Sequence, residues 1–323
     1  MKKFFLCLLL FVYALCYSHP GIGVVRDSKG NIYYTDLVNV WKLAPDGKKS
    51  IAVHNVHTHE LYVDTKDDLY GEHLWYNGEK LNTWGHYVWC LRSNNKLDTI
   101  IKPTAGFLKN YSFVRDKNEN MYWVVRDSMS TFKKRSPDGN ITTLLQRKFA
   151  DIRWMYATKG GNIYFVDLVD LYKINVSGKL ILVAKNISGN SPAFGMYSGK
   201  HSLMGIWTDG AENVYVANLS GQVVKRISQT GKVENFAYST TPWSPTGGVL
   251  DNDGNLWLLE TSLTNDARVR KIIPSKFIKG KTTPMIISNY ILPVSIITII
   301  VLAIIAIIRF LLRKKKKDLI SLG

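Results

Sequence analysis

"DSKGNIYYTD", residues 27–36, joins a polar turn to an aromatic strand, and it follows the short alternating run "GVVRD". Working outward, the same turn and triplet recur along the chain. They are Asn31-Ile32-Tyr33, Asp68-Leu69-Tyr70, Asn120-Met121-Tyr122, Asn162-Ile163-Tyr164, Asn213-Val214-Tyr215 and Asn255-Leu256-Trp257. Asp or Asn side chains in such turns bond nearby backbone N–H groups, and Gly30, Gly161 and Gly254 supply the positive φ that a tight turn needs. A second hairpin follows each first one. "VWKLAPDGKKSIAV" starts at Val40, "VWCLRSNNKLDTII" at Val88, "FKKRSPDGNITTLL" at Phe132, "LYKINVSGKLILV" at Leu171 and "VVKRISQTGKVENF" at Val223, while "VRKIIP" at Val269 begins a sixth.

The repeating unit is therefore four antiparallel strands in about 42 residues, a period that signals a propeller. A four-stranded sheet of that size has two faces to bury and cannot bury them alone. Six sheets set radially bury each face against a neighbour and leave only short edges exposed. A β-sandwich of the same strands would not require an aromatic triplet at constant register. The predicted fold is all-β: a six-bladed β-propeller with four-stranded antiparallel blades over residues 19–273, plus one C-terminal transmembrane helix. Blade six lacks an obvious fourth strand, and residues 275–281 and 17–21 both remain open as its source.

Both ends of the 323-residue chain read as targeting segments. Residues 1–18 form a secretory signal: Lys2 and Lys3, the apolar run Phe4 to Leu15, then small residues around Cys16 and Ser18. A lipoprotein signal ending at Cys16 is the rival, opposed by the bulk of Leu15. At the other end, 274–284 read as a linker and 285–308 as an apolar helix of about 35 Å, enough to cross a ~30 Å hydrocarbon core. The basic tail 309–323 holds that helix with its C-terminus in the cytoplasm. A single-pass type I protein is expected, with its propeller periplasmic or extracellular.

The formal charge of +17 divides accordingly: the signal holds +2 and the tail +5, leaving about +10 outside. Nucleic acid is an unsuitable partner for an exported domain, while the tail suits anionic lipid headgroups. Only Cys90 remains after Cys7 and Cys16 are assigned to the signal, so the mature chain has no internal disulfide and Cys90 is expected in the core. Five N-x-[ST] sequons are present, Asn110 and Asn218 among them.

The repeated "D-x-x-G-N-[ILV]-[YW]" pattern, the "WKLxPDGK" hairpin and the stretch "SPTGGVLDNDGNLWLLE" (244–260) resemble the NHL-repeat and SMP-30/gluconolactonase-like six-bladed propellers. The resemblance covers about residues 20–273. It implies the fold, and it implies one divalent ion in the central channel of the hydrolases, held by acidic or amide residues about five positions before the strand-end Asp. In this sequence those registers hold Ile22, Tyr111, Met204 and Thr246. Apolar Ile22 and Met204 do not suit a hard cation, so the lactonase activity does not carry over with the fold.

In an up-and-down blade the loops joining strands two to three, and each blade to the next, share one end of the ring. Here that end carries the insertions. The stretch Gly71 to Tyr87 of blade two is about eleven residues longer than its counterpart in blade one and reads as a long loop. The link "HNVHTHE" (54–60) leads into the same blade. Together they gather His57, His59, Glu60, Glu72, His73, Trp75 and Trp84, with His54 and His86 nearby. His57 and His59 face one way on an extended segment. With Glu72 they form a candidate set for a divalent metal ion, the one candidate cofactor; a polar loop with exposed histidines is the plainer reading. Trp75 and Trp84 could form a stacking platform or clamp their own loop. A second set lies three residues after each triplet aromatic: Asp36, His73, Val125, Asp167, Asn218 and Glu260. Read as strand ends, its polar members either cap turns or rim the channel mouth as acceptors for a ligand. The Gly/Ser-rich link 186–201 could serve as a lid. No Ser/His/Asp order or phosphate loop is present. The expected function is a membrane-anchored module that recognises a small molecule, glycan or protein; the alternative is a metal-dependent hydrolase or lyase.

Overall fold

The computed structural model describes residues 20–78, 80–81, 83–105, 114–189, 202–262 and 264–273. The first sheet holds β1 (Val24–Arg26), β2 (Ile32–Thr35), β3 (Val40–Leu43) and β4 (Lys49–Val53). The second holds β5 (Leu61–Val63), β6 (Leu69–Tyr76), β7 (Trp84–Leu91) and β8 (Leu97–Ala105). The third holds β9 (Met121–Arg126), β10 (Ser130–Arg135) and β11 (Ile141–Arg147), with Arg115 bridging Met121 on the inner side. The fourth holds β12 (Ile152–Ala157), β13 (Ile163–Asp167), β14 (Asp170–Ile174) and β15 (Leu180–Ala184). The fifth holds β16 (Leu203–Thr208), β17 (Val214–Asn218), β18 (Val223–Ile227) and β19 (Val233–Tyr238). The sixth holds β20 (Ser244–Leu250), β21 (Leu256–Thr261) and β22 (Ala267–Ile272). Each sheet is antiparallel with neighbours in chain order, which makes a six-bladed propeller.

The core is six clusters, one for each pair of adjacent blades. Tyr33, Val40 and Val53 of blade one meet Leu61, Leu69 and Trp89 of blade two. Tyr70, Val88 and Cys90 meet Met121, and Tyr122 and Phe132 meet Ile163, Phe165 and Ile174. Val166 and Leu171 meet Leu203 and Val216, and Trp207, Tyr215 and Val224 meet Leu256 and Leu258. The last cluster closes the circle, packing Leu259 and Trp257 of blade six on Val24, Ile32 and Tyr34 of blade one. Arg26 Nη1 also donates to Asn252 Oδ1 at 3.0 Å across that seam. The two candidate closing strands, 275–281 and most of 17–21, lie outside the described residues, as do the signal, linker, apolar helix and tail; Pro20 and Gly21 form no strand. Among the described residues no helix is long and apolar enough to cross a membrane.

The recurring triplet is a hydrogen-bond device. Asp27 accepts from the Asn31 backbone N–H at 2.8 Å and from Asn31 Nδ2 at 2.6 Å, and Tyr33 OH closes on the same carboxylate at 3.3 Å. Asp116, Asp209 and Asp251 repeat the arrangement, with Trp257 Nε1 replacing the phenol in the last. The residue before the Asn or Asp of the triplet has positive φ in all six turns: Gly30, Asp67, Glu119, Gly161, Glu212 and Gly254.

Candidate functional site

Blade two departs from its neighbours between strands two and three. β6 and β7 have eight residues each, against four to six in the equivalent strands elsewhere. Read from sequence as a loop, Gly71 to Tyr87 is instead mostly ladder: pairing continues from Leu69↔Leu91 to Tyr76↔Trp84. Polar Glu72 and His73 stand side by side in the chain, but successive side chains of the ladder take opposite faces, so the strands run on as a finger.

The two faces of the finger differ. On one, facing blade one, Trp75 lies flat over Gly85, where an added Cβ would fall 1.8 Å from the indole, and Trp89 covers Gly71 in the same way. His73 stacks on Tyr87 between them, with centroids 5.0 Å apart. The opposite face carries Glu72, Leu74, Tyr76, Trp84 and His86, by the alternation of the ladder. Trp84 and Tyr76 contact each other at the exposed tip, with centroids 4.8 Å apart. Trp75 and Trp84 therefore sit on opposite faces and do not form one platform.

The link 54–60 lies along the finger. Leu74 N–H donates to His57 O at 3.1 Å, and His57 N–H donates to His73 Nδ1 at 3.1 Å, which places the His73 proton on Nε2. The Thr58 hydroxyl donates to the Glu72 carbonyl. His57 and His59 lie ring to ring, 4.8 Å between centroids.

At the base of the finger Glu72 receives His86 Nε2 at 3.1 Å and the His59 backbone N–H at 3.3 Å, with His59 Nδ1 3.6 Å away. Burial alone would raise the Glu72 pKa, but the bonds from His59 and His86 outweigh it and hold the carboxyl at about 2. Glu60 comes level with Glu72, one residue beyond the Leu61↔Gly71 pair. It keeps part of its surface open. Burial, then the nearby Glu72 charge, push its pKa up to about 8 against the opposing pull of Arg126. His86 Nδ1 is buried with no hydrogen-bond partner.

The second expected set divides: Asp36, Asp167 and Asn218 cap turns or links, and Glu260 is held in a buried ion network. Asp36 accepts from the N–H groups of Val38 and Asn39 and from Trp41 Nε1. Asp167 accepts from Ala150 and Asp151. Asn218, fully buried, donates to Ser188 O and accepts from Gly221 N–H. Glu260, also fully buried, accepts from Ser239 Oγ, Arg268 and Arg270. His73 does not belong with them, because it lies within β6 rather than at a strand end.

Among the described residues no three His, Cys, Asp or Glu side chains are placed to hold one metal ion. Glu72 instead accepts from the His59 backbone N–H and lies 3.6 Å from His59 Nδ1, while the His57 ring meets His59 edge-on. The channel registers implied by the family resemblance do not fit a cation either. Ile22 packs against Gly205 and Gly247, Met204 is buried in the blade five–six cluster, and the Thr246 hydroxyl donates to Leu259 O. Tyr111 and most of the link 186–201 lie outside the described residues. His86 was named with the cluster, whereas Tyr87, Tyr76 and Arg126 escaped the sequence reading of the site; the pairing of β6 with β7 is what sorts Tyr76, Tyr87 and His86 onto their faces.

No family profile and no curated relative matches the chain. Solved structures that resemble it include an auxiliary nutrient binding protein from Bacteroides thetaiotaomicron, at 11% identity and a TM-score of 0.54, covering 78% of this chain and 68% of that one. A gluconolactonase from Xanthomonas campestris aligns at 10% identity and a TM-score of 0.50, covering 74% and 82%. A protein provisionally assigned as a gluconolactonase aligns at 12% identity and a TM-score of 0.51, covering 80% and 92%. Fold and neighbours define a six-bladed β-propeller with gluconolactonase-like proteins of the SMP-30 type among its structural relatives. At these identities the likeness is one of fold.

Proposed function

We propose that the chain is an exported propeller on a single-pass membrane anchor, and that it recognises a small polar molecule or a glycan at the finger of blade two. A protein ligand is the third class the same end could take. The observation that carries this reading is the Glu72 face of the finger, an aromatic tip above a charged base. Tyr76 and Trp84 supply flat apolar surface, Leu74 continues it, and Glu72, His86 and Glu60 supply polar groups at the base of the finger. His86 Nδ1, buried and unpartnered, is a hydrogen-bonding atom that a ligand could satisfy. Ligand sites combine apolar walls with a few convergent polar groups in this way. The apolar Ile22 and Met204 registers argue for binding over the ion-dependent activity of the fold relatives.

A thermal-shift screen of the full chain in detergent against metabolites and oligosaccharides tests it. Ligands that stabilise the wild type are expected to lose most of their shift in both Trp84→Ser and Glu72→Gln. Undiminished shifts in both variants would place the seat elsewhere.

One observation favours a second reading, a hydrolase or lyase. Two carboxyl groups level on adjacent strands have acidities pushed apart, Glu60 up and Glu72 down, as in an acid–base pair. Turnover of a lactone or ester substrate, abolished by Glu60→Gln and unaffected by chelator, would favour it over pure recognition.

A further inference from the structure

The five sequons are not equivalent in the folded chain. Asn110 lies outside the described residues. Asn218 is fully buried, and its amide donates to Ser188 O at 3.1 Å in the link between blades four and five. A glycan on that nitrogen has no volume to occupy unless the link opens. Asn186 is exposed, but its sequon runs straight into the core: Ile187 is fully buried and Ser188 nearly so. Asn140 and Asn175 differ from both. Asn140, Ile141 and Thr142 are all exposed, at the turn between β10 and β11. Asn175 opens the turn between β14 and β15, with Val176 and Ser177 exposed. Its Oδ1 accepts from Ser177 N–H, Ser177 Oγ and Lys179 N–H. An N-linked sugar leaves that oxygen free to keep accepting, so the turn keeps its cap. At Asn140 the cost is at most the exposed 2.7 Å bond from Nδ2 to Asp138.

We propose that, among the sequons in the described residues, Asn140 and Asn175 are the N-glycan acceptor sites of the exported domain. Both lie on strand three-to-four turns of adjacent blades, at the end of the ring opposite the finger. There Gly178 of the second turn comes within 3.3 Å of Leu144 O of β11, measured from its built Cβ position. The reaction is a group transfer without redox. The Asn Nδ2–C1 bond forms, the C1–O bond of a polyprenyl-diphosphate-linked oligosaccharide breaks, the diphosphate leaves, and the amide proton passes to solvent. Transfer precedes folding, so the folded population is the one that closure of the blade four–five link permits. The inference uses the export reading but is independent of the ligand seat.

The test is expression of the full chain, with its own signal, in insect or mammalian cells. The membrane fraction is purified folded, and its peptides are mapped after enzymatic deglycosylation in heavy-oxygen water. Heavy-oxygen aspartate is expected at 140 and 175 and not at 218. Thr142→Ala and Ser177→Ala should each remove one electrophoretic step. Label at 218 in folded protein overturns the assignment, and so does bare asparagine at 140 and 175. In the second case a signal found cut near residue 18 locates the failure in site choice, and an intact signal locates it in export.

Discussion

Glu60 and Glu72 lie level on adjacent strands, yet their surroundings hold them in different protonation states at neutral pH. Glu60 keeps a proton up to about pH 8, against an ordinary value of 4.5. Between those values the folded chain binds a proton that the unfolded chain has lost, so this group makes stability fall as pH rises. Glu72 works the other way. Its carboxyl is held at about 2, so its contribution is complete above the unfolded value and disappears as the medium is acidified toward 2. The expected outcomes are distinct. Glu60→Gln should gain a few degrees of Tm relative to wild type at about pH 8 and nothing at about pH 4, because glutamine cannot lose the proton. Glu72→Gln should lose Tm at neutral pH, and the deficit should shrink below about pH 4. Melting curves by circular dichroism across that range check both; parallel curves for wild type and Glu60→Gln would show that Glu60 is ordinary.

At the scale of the element, the turn module shows what was legible in the sequence and what was not. Its Asn and aromatic residues sit within six positions of the Asp they bond, so local turn chemistry suffices to read them, and the propeller follows from their repetition. Blade four breaks the pattern with Thr158 in the Asp register. The missing carboxylate comes from the next blade: Glu212 accepts from Asn162 Nδ2 at 2.9 Å, from Tyr164 OH at 3.4 Å and from Lys173 Nζ at 3.1 Å. Fifty residues separate the partners, and no local pattern announces them. The finger was misread for a related reason. Its histidines, glutamate and glycines look like loop residues one at a time, and only the partner strand shows that they alternate. Glu212→Ala is expected to cost about 1–2 kcal/mol, the scale of a part-buried charged hydrogen bond lost, with Glu212 itself about a third exposed. Thr158→Asp should cost stability alone, by setting two carboxylates together, but should recover part of the loss in the Glu212→Ala background. A double-mutant cycle in urea measures that coupling; additive losses would mean that Glu212 does not stand in for the aspartate.

The whole molecule depends on the contact between its first blade and its last. Five of the six interfaces join blades that follow each other in the chain, and only the sixth forces distant segments together. That seam is tight at the backbone. A Cβ built on Gly247 of β20 would fall 2.1 Å from the Ile22 carbonyl oxygen, with the Ile22 backbone carbon at 3.0 Å. Nothing there is a flexible side-chain end, so Gly247→Ala must push β20 away from the segment leading into β1. The expected cost is about 3 kcal/mol, the upper range for overpacking. Gly210→Ala is the matched control, since its built Cβ meets nothing within 4 Å and its φ is not positive; it should lie within about 0.5 kcal/mol of wild type. The shape of the transition decides what the seam does. Opening the seam takes a neighbour from blades one and six and leaves the other four paired on both sides; if the ring melts as one cooperative unit, Gly247→Ala should lower one shared transition, seen alike by far-ultraviolet circular dichroism and by tryptophan fluorescence. An early melt confined to part of the signal, with the remainder at the wild-type temperature, would mean that blades one to five stand as a stack and that closure adds little to their stability.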